Sequence, residues 1–150
     1  MTDEMDVMEA LRRRIIGHMA AFVREPDVTV ALDERSVLID FPDPDNMARD
    51  SVVWITPDWE GIEELSVATD VSTLRLSVYI VCKGAPSATL VRRVFALWSA
   101  LYLLVDDDRS IGGVAAHTRV TDMDYYPSVA AGRTQVGIEA SLEVQWAREI

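Results

Sequence analysis

Cysteine is almost missing: Cys82 stands alone in 150 residues, which excludes an internal disulfide and a multi-cysteine zinc site. Histidine is nearly as scarce, and His18 and His117 are too widely separated to form a His-x-x-x-His metal pair. Lysine appears once, as Lys83, against thirteen arginines, and 25 acidic residues bring the net charge to −11. Free nucleic acid is therefore an unsuitable ligand, because phosphate neutralisation needs a net basic face. The chain has no Walker loop, no Gly-x-Gly-x-x-Gly and no Gly-x-Ser-x-Gly, and Gly112-Gly113 reads as a helix-to-strand turn rather than a phosphate cradle. No apolar run approaches the ~20 residues of a bilayer span. Met1-Thr2-Asp3-Glu4 is acidic where a secretory leader is basic, so synthesis in the cytosol is expected.

What is present suits a single core. Hydrophobic residues make up 49% of the chain and charged residues 26%, unlike the polar composition of a disordered tail. The length fits one domain, taken as residues 1–150.

Spacing predicts a helix over 4–24, where Met8, Leu11, Ile15, Met19 and Phe22 recur every three or four residues. Asp3 or Thr2 is placed to cap it, and Pro26 stops it. Two β-branched runs follow, Val28–Leu32 and Ser36–Phe41, then a proline-rich loop at 42–46 and a third strand over Ser51–Thr56. Residues 63–83 alternate over an unusual length, with Leu74, Leu76, Val78, Ile80 and Cys82 on one face, which implies a half-buried strand in an antiparallel sheet. Helical spacing returns over 87–105 through Val91, Val94, Phe95, Trp98, Leu101, Tyr102 and Val105. Two strands close the chain, 114–124 and 133–148, joined across Tyr125-Tyr126-Pro127 and Ala131-Gly132. The expected fold is α+β: a mixed, mainly antiparallel sheet covered by two helices in the order α-β-β-β-β-α-β-β.

The chemistry-bearing residues are sparse. Asp106-Asp107-Asp108 offers hard oxygen ligands but lacks EF-hand spacing, and Asp43 and Asp45 bracket a proline in a second acidic loop; both read as solvated loops. Asp122 and Asp124 share a strand face, where paired carboxylates for acid–base work compete with plain polar surface. Cys82 and His117 are the residue types of a thiol nucleophile, yet Cys82 lies on the apolar face of its strand and reads as a buried, inert thiol. No catalytic residue, cofactor site or metal site is assigned, and an enzyme is not expected. Arg12-Arg13-Arg14 and Arg92-Arg93 are either solvated helix faces or protein interface, arginine being enriched at interfaces. Trp54 and Trp59 flank the Pro57 turn, and Trp59, in the more polar setting, is the better interface anchor. Tyr125 and Tyr126 complete the interface candidates.

This element order resembles the tail terminator, or tail completion, proteins of long-tailed bacteriophages. The resemblance runs from about Met5 to Trp146. It is carried by Val78-Tyr79-Ile80-Val81, the stretch from Val91 to Leu104, Ile111-Gly112-Gly113-Val114, Asp122-Met123-Asp124-Tyr125-Tyr126, and Val136-Gly137-Ile138 through Val144-Gln145-Trp146. It implies a virion tail protein assembled in the host cytoplasm. Six subunits would form a ring on the head-proximal end of the tail tube, ending its growth and presenting a surface to the head connector. Its partners would be sister copies, the tube protein and the connector protein, with no membrane. No specific nucleic-acid binding is implied, although DNA would pass through the ring, and an acidic lumen would let it pass without sticking. The competing expectation is a small α+β binding module holding an apolar ligand or a protein partner, with a closed pocket of roughly 300 Å³ or more.

Overall fold

Asp3 starts the first helix through a reciprocal cap: its carboxylate accepts from the Asp6 N–H at 2.8 Å, and the Asp6 carboxylate accepts from the Asp3 N–H at 2.9 Å. In the computed structural model, which describes residues 2–58, 66–68, 71–130 and 133–147, this helix, α1, spans Glu4–His18 and tightens into a 3₁₀ turn at Met19–Phe22. Val7, Met8, Leu11, Ile15 and Met19 form its buried stripe. Strands follow as β1 (Val37–Ile39), β2 (Ser51–Pro57), β3 (Ser66–Ala68) and β4 (Val71–Lys83). Helix α2 (Ser87–Asp107) then leads to β5 (His117–Ala130) and β6 (Arg133–Ala147). The class is α+β, as expected, and the order of elements roughly matches the expected one.

The sheet runs β1-β2-β4-β6-β5, with β3 continuing the β2 edge of β4 where β2 stops. Among the described residues only β1 and β2 pair in parallel. Both helices lie on one face, α1 against β1 and β2, and α2 against β4, β6 and β5. Registered rows such as Ile55, Val78, Ala140 and Met123, or Val53, Ile80, Ile138 and Tyr125, run across the strands beneath them. Every fully buried Leu, Ile or Val in these rows contributes about 1.5–3 kcal/mol by leaving water. Trp146 closes the core at the β6 end, fully buried, with its indole N–H donating to the Thr2 carbonyl at 3.2 Å.

Four expectations need correction. Val28–Leu32 is not a strand: Val30 and Leu32 pack on the core, but the segment joins no ladder. The alternation there records burial, not pairing; on β1, the Val37 carbonyl accepts from the Arg12 Nε–H at 2.7 Å. The long alternating run is a hairpin in its described part, with β3 folded back on the start of β4; residues 63–65 lie outside the described residues. Tyr125-Tyr126-Pro127 is not a connection but part of β5, which runs to Ala130. Proline is tolerated there because β5 is an edge strand. Finally, α2 is by length and composition long and apolar enough to cross a membrane. Its buried Leu90, Val94, Leu97, Leu101 and Leu104 face the core, however, and Arg92-Arg93 interrupts the run.

A bulge between Val120 and Asp122 settles a conflict in the last hairpin. Strict alternation would put Val120 on the same face as Asp122 and Asp124. The extra residue, Thr121, lets Val120 and Met123 both pack on the core while the two aspartates stay on the opposite face.

Candidate functional site

Alternate residues of the same strands build the uncovered face of the sheet, and it is graded. One row reads Leu38, Trp54, Tyr79, Glu139, Asp124 from β1 to β5. It passes from apolar to acidic across five strands. At its apolar end Val52, Trp54 and Val81 form a small second cluster with Leu38, Met47 and Tyr79 around it. Trp54, only 2% exposed, is thus a core filler; Trp59 lies outside the described residues.

The adjacent row is Val52, Val81, Gly137, Tyr126. Because Gly137 has no side chain, a hollow of about 230 Å³ opens there, bordered by Pro42, Pro44, Tyr79, Val81 and Tyr126. Tyr79 donates its phenol to Glu139 at 2.7 Å. Burial, then that hydrogen bond and the charge of Glu139, push Tyr79 up to about 12. Tyr126, half exposed, is also raised, first by the desolvation of its phenol and then by the charges of Glu139, Asp124 and Asp122. Asp122 and Asp124 do share this face, as their strand periodicity indicates, and both are exposed. Farther along, Arg119 pairs with Glu143 at 3.3 Å.

The opposite layer carries the arginines. Three successive helical residues point about 100° apart, so Arg12, Arg13 and Arg14 do not make one patch. Arg12 is turned inward, donating to the Val37 and Glu34 carbonyls at 2.7 and 3.0 Å. Arg14 reaches the end of α2, 3.5 Å from the Asp107 carboxylate, and Arg13 is exposed. On α2, Arg93 is half-buried and Arg92 exposed. Arg92 borders an open groove of about 460 Å³ with Arg24, Glu25, Val91, Phe95, Ala96 and Ser99. Among the described residues no strand residue lines this groove, which lies on the outer side of the helix layer. Tyr125 lies beneath the same helix, its ring 5.2 Å from that of Phe95.

The remaining candidates resolve into structure. Cys82 is fully buried, its thiol raised by burial. It sits on β4 opposite Val136, while His117 sits opposite Gln145. Nine residues of β6 separate those registers, about 30 Å at 3.3 Å per residue, so the two do not form a dyad. Asp108 organises the turn after α2: its carboxylate accepts from Ser110 and from the Gly112 N–H. These bonds, the Ser110 hydroxyl first, hold its carboxyl below the usual range. The turn places Ile111, Gly112 and Gly113 all at positive φ, with Ile111 buried. A β-branched residue in that region costs on the order of 1–3 kcal/mol, which burial of the Ile111 side chain offsets. Among the described residues no group of three or more His, Cys, Asp or Glu side chains could hold a metal ion.

Sequence reasoning missed the arginine groove, because Arg24 and Arg92 are far apart along the chain. It also missed the hollow, for which Gly137 within an alternating strand was the available signal. No protein-family model matches this chain, and no curated protein matches it.

Proposed function

We propose that this protein is a structural subunit of a phage or phage-like tail, forming a ring, of six copies by the resemblance above, on the head-proximal end of the tail tube. There it ends tube polymerisation and offers the head connector a surface, with DNA passing through without specific binding. It is assembled in the host cytoplasm and ends in the virion tail. Its work is contact, not turnover.

The observation that carries this reading is the presence of two unlike outward surfaces on one small subunit. An acidic, tyrosine-bearing sheet face lies on one side and an arginine-bordered groove on the helix layer. A cyclic ring is built from heterologous contacts, in which two different patches of each copy meet on its neighbours. An acidic protein whose cations are nearly all arginine suits such contacts.

The test is native mass measurement and electron microscopy of the purified chain, alone and mixed with tubes assembled from a phage tail tube protein. Rings in solution, or rings capping tube ends with tubes of fixed length, are the expected result. A chain that stays monomeric in both conditions and leaves tube growth unchanged would overturn the reading.

A further inference from the structure

Charge and shape on the two layers complement each other. On the helix layer, Arg24 and Arg92 are exposed and make no ion pair with a carboxylate among the described residues, and both border the open groove that Glu25, Val91 and Phe95 also line, which leaves it one positive charge in excess. On the sheet layer, Asp122 and Asp124 are exposed and have no cation partner among the described residues. Tyr126 stands beside them, half exposed, at the lip of the apolar hollow. A guanidinium set over a tyrosine face and between carboxylates gains both a cation–π contact and charge-assisted hydrogen bonds.

Strand addition is the competing way for copies to associate, since β5 is a long outer strand. Its edge is poorly suited to it. Pro127 removes one donor and the bulge at Val120/Asp122 breaks the regular spacing of the rest, two devices that discourage edge-to-edge pairing. The faces remain.

Resting on the ring reading above, we propose that successive copies pack head to tail, the Arg24–Arg92 groove of one copy seated on the Asp122, Asp124 and Tyr126 face of the next. The occupant of each surface is thus a second copy of this chain. The contact is heterologous, so it propagates from copy to copy and closes when the rotation per subunit allows.

Charge reversal tests it. Arg24→Glu with Arg92→Glu, and separately Asp122→Arg with Asp124→Arg, should each weaken assembly by about tenfold or more, read as the concentration at which rings dissociate. Combining all four changes in one chain should restore assembly, because the complementarity is then re-created with the signs exchanged. Wild-type rings that persist unchanged in both reversed variants would overturn this contact and leave the ring reading standing. A wild-type chain that never assembles, even with tubes, sinks the ring reading itself. Should a reversed variant fail to fold, cysteine placement gives an independent measure. With a short thiol cross-linker, a chain carrying both Arg92→Cys and Asp124→Cys should yield a ladder of multimers, and either substitution alone should yield monomer. Dimers from one substitution alone would mean a self-complementary contact and would overturn the proposal.

Discussion

The two faces of this sheet are made from alternate residues of the same strands, yet they obey different rules. On the helix-covered face nearly every position from Val37 to Met123 is apolar; among the exceptions, Ser51 donates its hydroxyl to the Cys82 thiol, while Ser72 and Thr118, near the ends of β4 and β5, have hydroxyls that are buried and without a hydrogen-bond partner among the described residues. On the uncovered face, apolar, aromatic, hydroxyl and acidic side chains succeed one another across a single row. The covered face is constrained by packing, where a slip by one residue inverts everything. Outside the buried Val52, Trp54 and Val81 cluster, the other face is free of that demand, and so it is where recognition chemistry can vary without loss of the fold. The same division separates Arg12, which fastens α1 to the chain before β2, from Arg92, which faces outward.

Substituting one large aromatic residue on each face tests the contrast most severely. Trp146→Ala removes a fully buried indole and its hydrogen bond to Thr2, and should cost about 3–5 kcal/mol in denaturant unfolding. Trp146→Phe keeps most of the packing and should recover the larger part of that loss. Tyr126→Ala should change stability by no more than about 0.5 kcal/mol. If Tyr126→Ala destabilised the free subunit as much as Trp146→Ala, the uncovered face would be part of the core and the contrast would collapse.

Within the arginine triplet the same question is asked at smaller scale. Arg12→Ala leaves two backbone carbonyls without their charged donor, and should cost about 2 kcal/mol, the range for hydrogen bonds to charged groups. Arg13→Ala, on an exposed side chain one residue away, should stay within about 0.5 kcal/mol. Lysine at position 12 should recover only part of the loss, since its point charge cannot reproduce the two-armed geometry. Equal effects at positions 12 and 13 would show that the triplet acts as a diffuse charge, not as one fastening and one free arginine.

What the sequence made legible follows the same division. Periods of 3.6 and 2 mark burial, so a helix at α2, the β4 and β6 alternation and the α+β class were readable. The α2 stripe was readable only in part: Val94, Leu101 and Val105 are buried as expected, but Leu90, Leu97 and Leu104 face the core while Val91 and Tyr102 are exposed. Pairing was less so. Val28–Leu32 carries the strand pattern and buries Val30 and Leu32 on the core, yet joins no ladder among the described residues, since alternation marks a buried side and says nothing of a partner strand. The bulge at Thr121 was hidden because a single inserted residue has no compositional mark. The surface candidates were the least legible, because whether Arg12, Arg13 and Arg14 act together depends on helix rotation, and whether Arg24 meets Arg92 depends on tertiary packing. Asp122 and Asp124 could be placed on one face from periodicity, but that the face lies opposite the helices required the register.

The finest test concerns the boundary between the apolar and acidic halves of the uncovered face, where Tyr79 donates to Glu139. The folded phenol ionises near 12 against an ordinary value of 10.0, so the folded state holds its proton more strongly than the unfolded chain. The resulting contribution to stability is complete below pH 10, and is lost as pH rises through the folded value. Tyr79→Phe removes the proton, and with it that part of the alkaline decline. Its cost at neutral pH should lie near the lower end of the range for a hydrogen bond to a charged group, about 1–2 kcal/mol, because Glu139 is only partly buried and keeps the more distant Ser77 hydroxyl at 3.4 Å. Comparing denaturant midpoints of the two proteins between pH 9 and 11 reads this directly, with the gap between them narrowing as pH rises. A gap that stayed constant across that range would mean that the phenol ionises alike in the folded and unfolded chains. The link across β4 and β6 would then be packing alone.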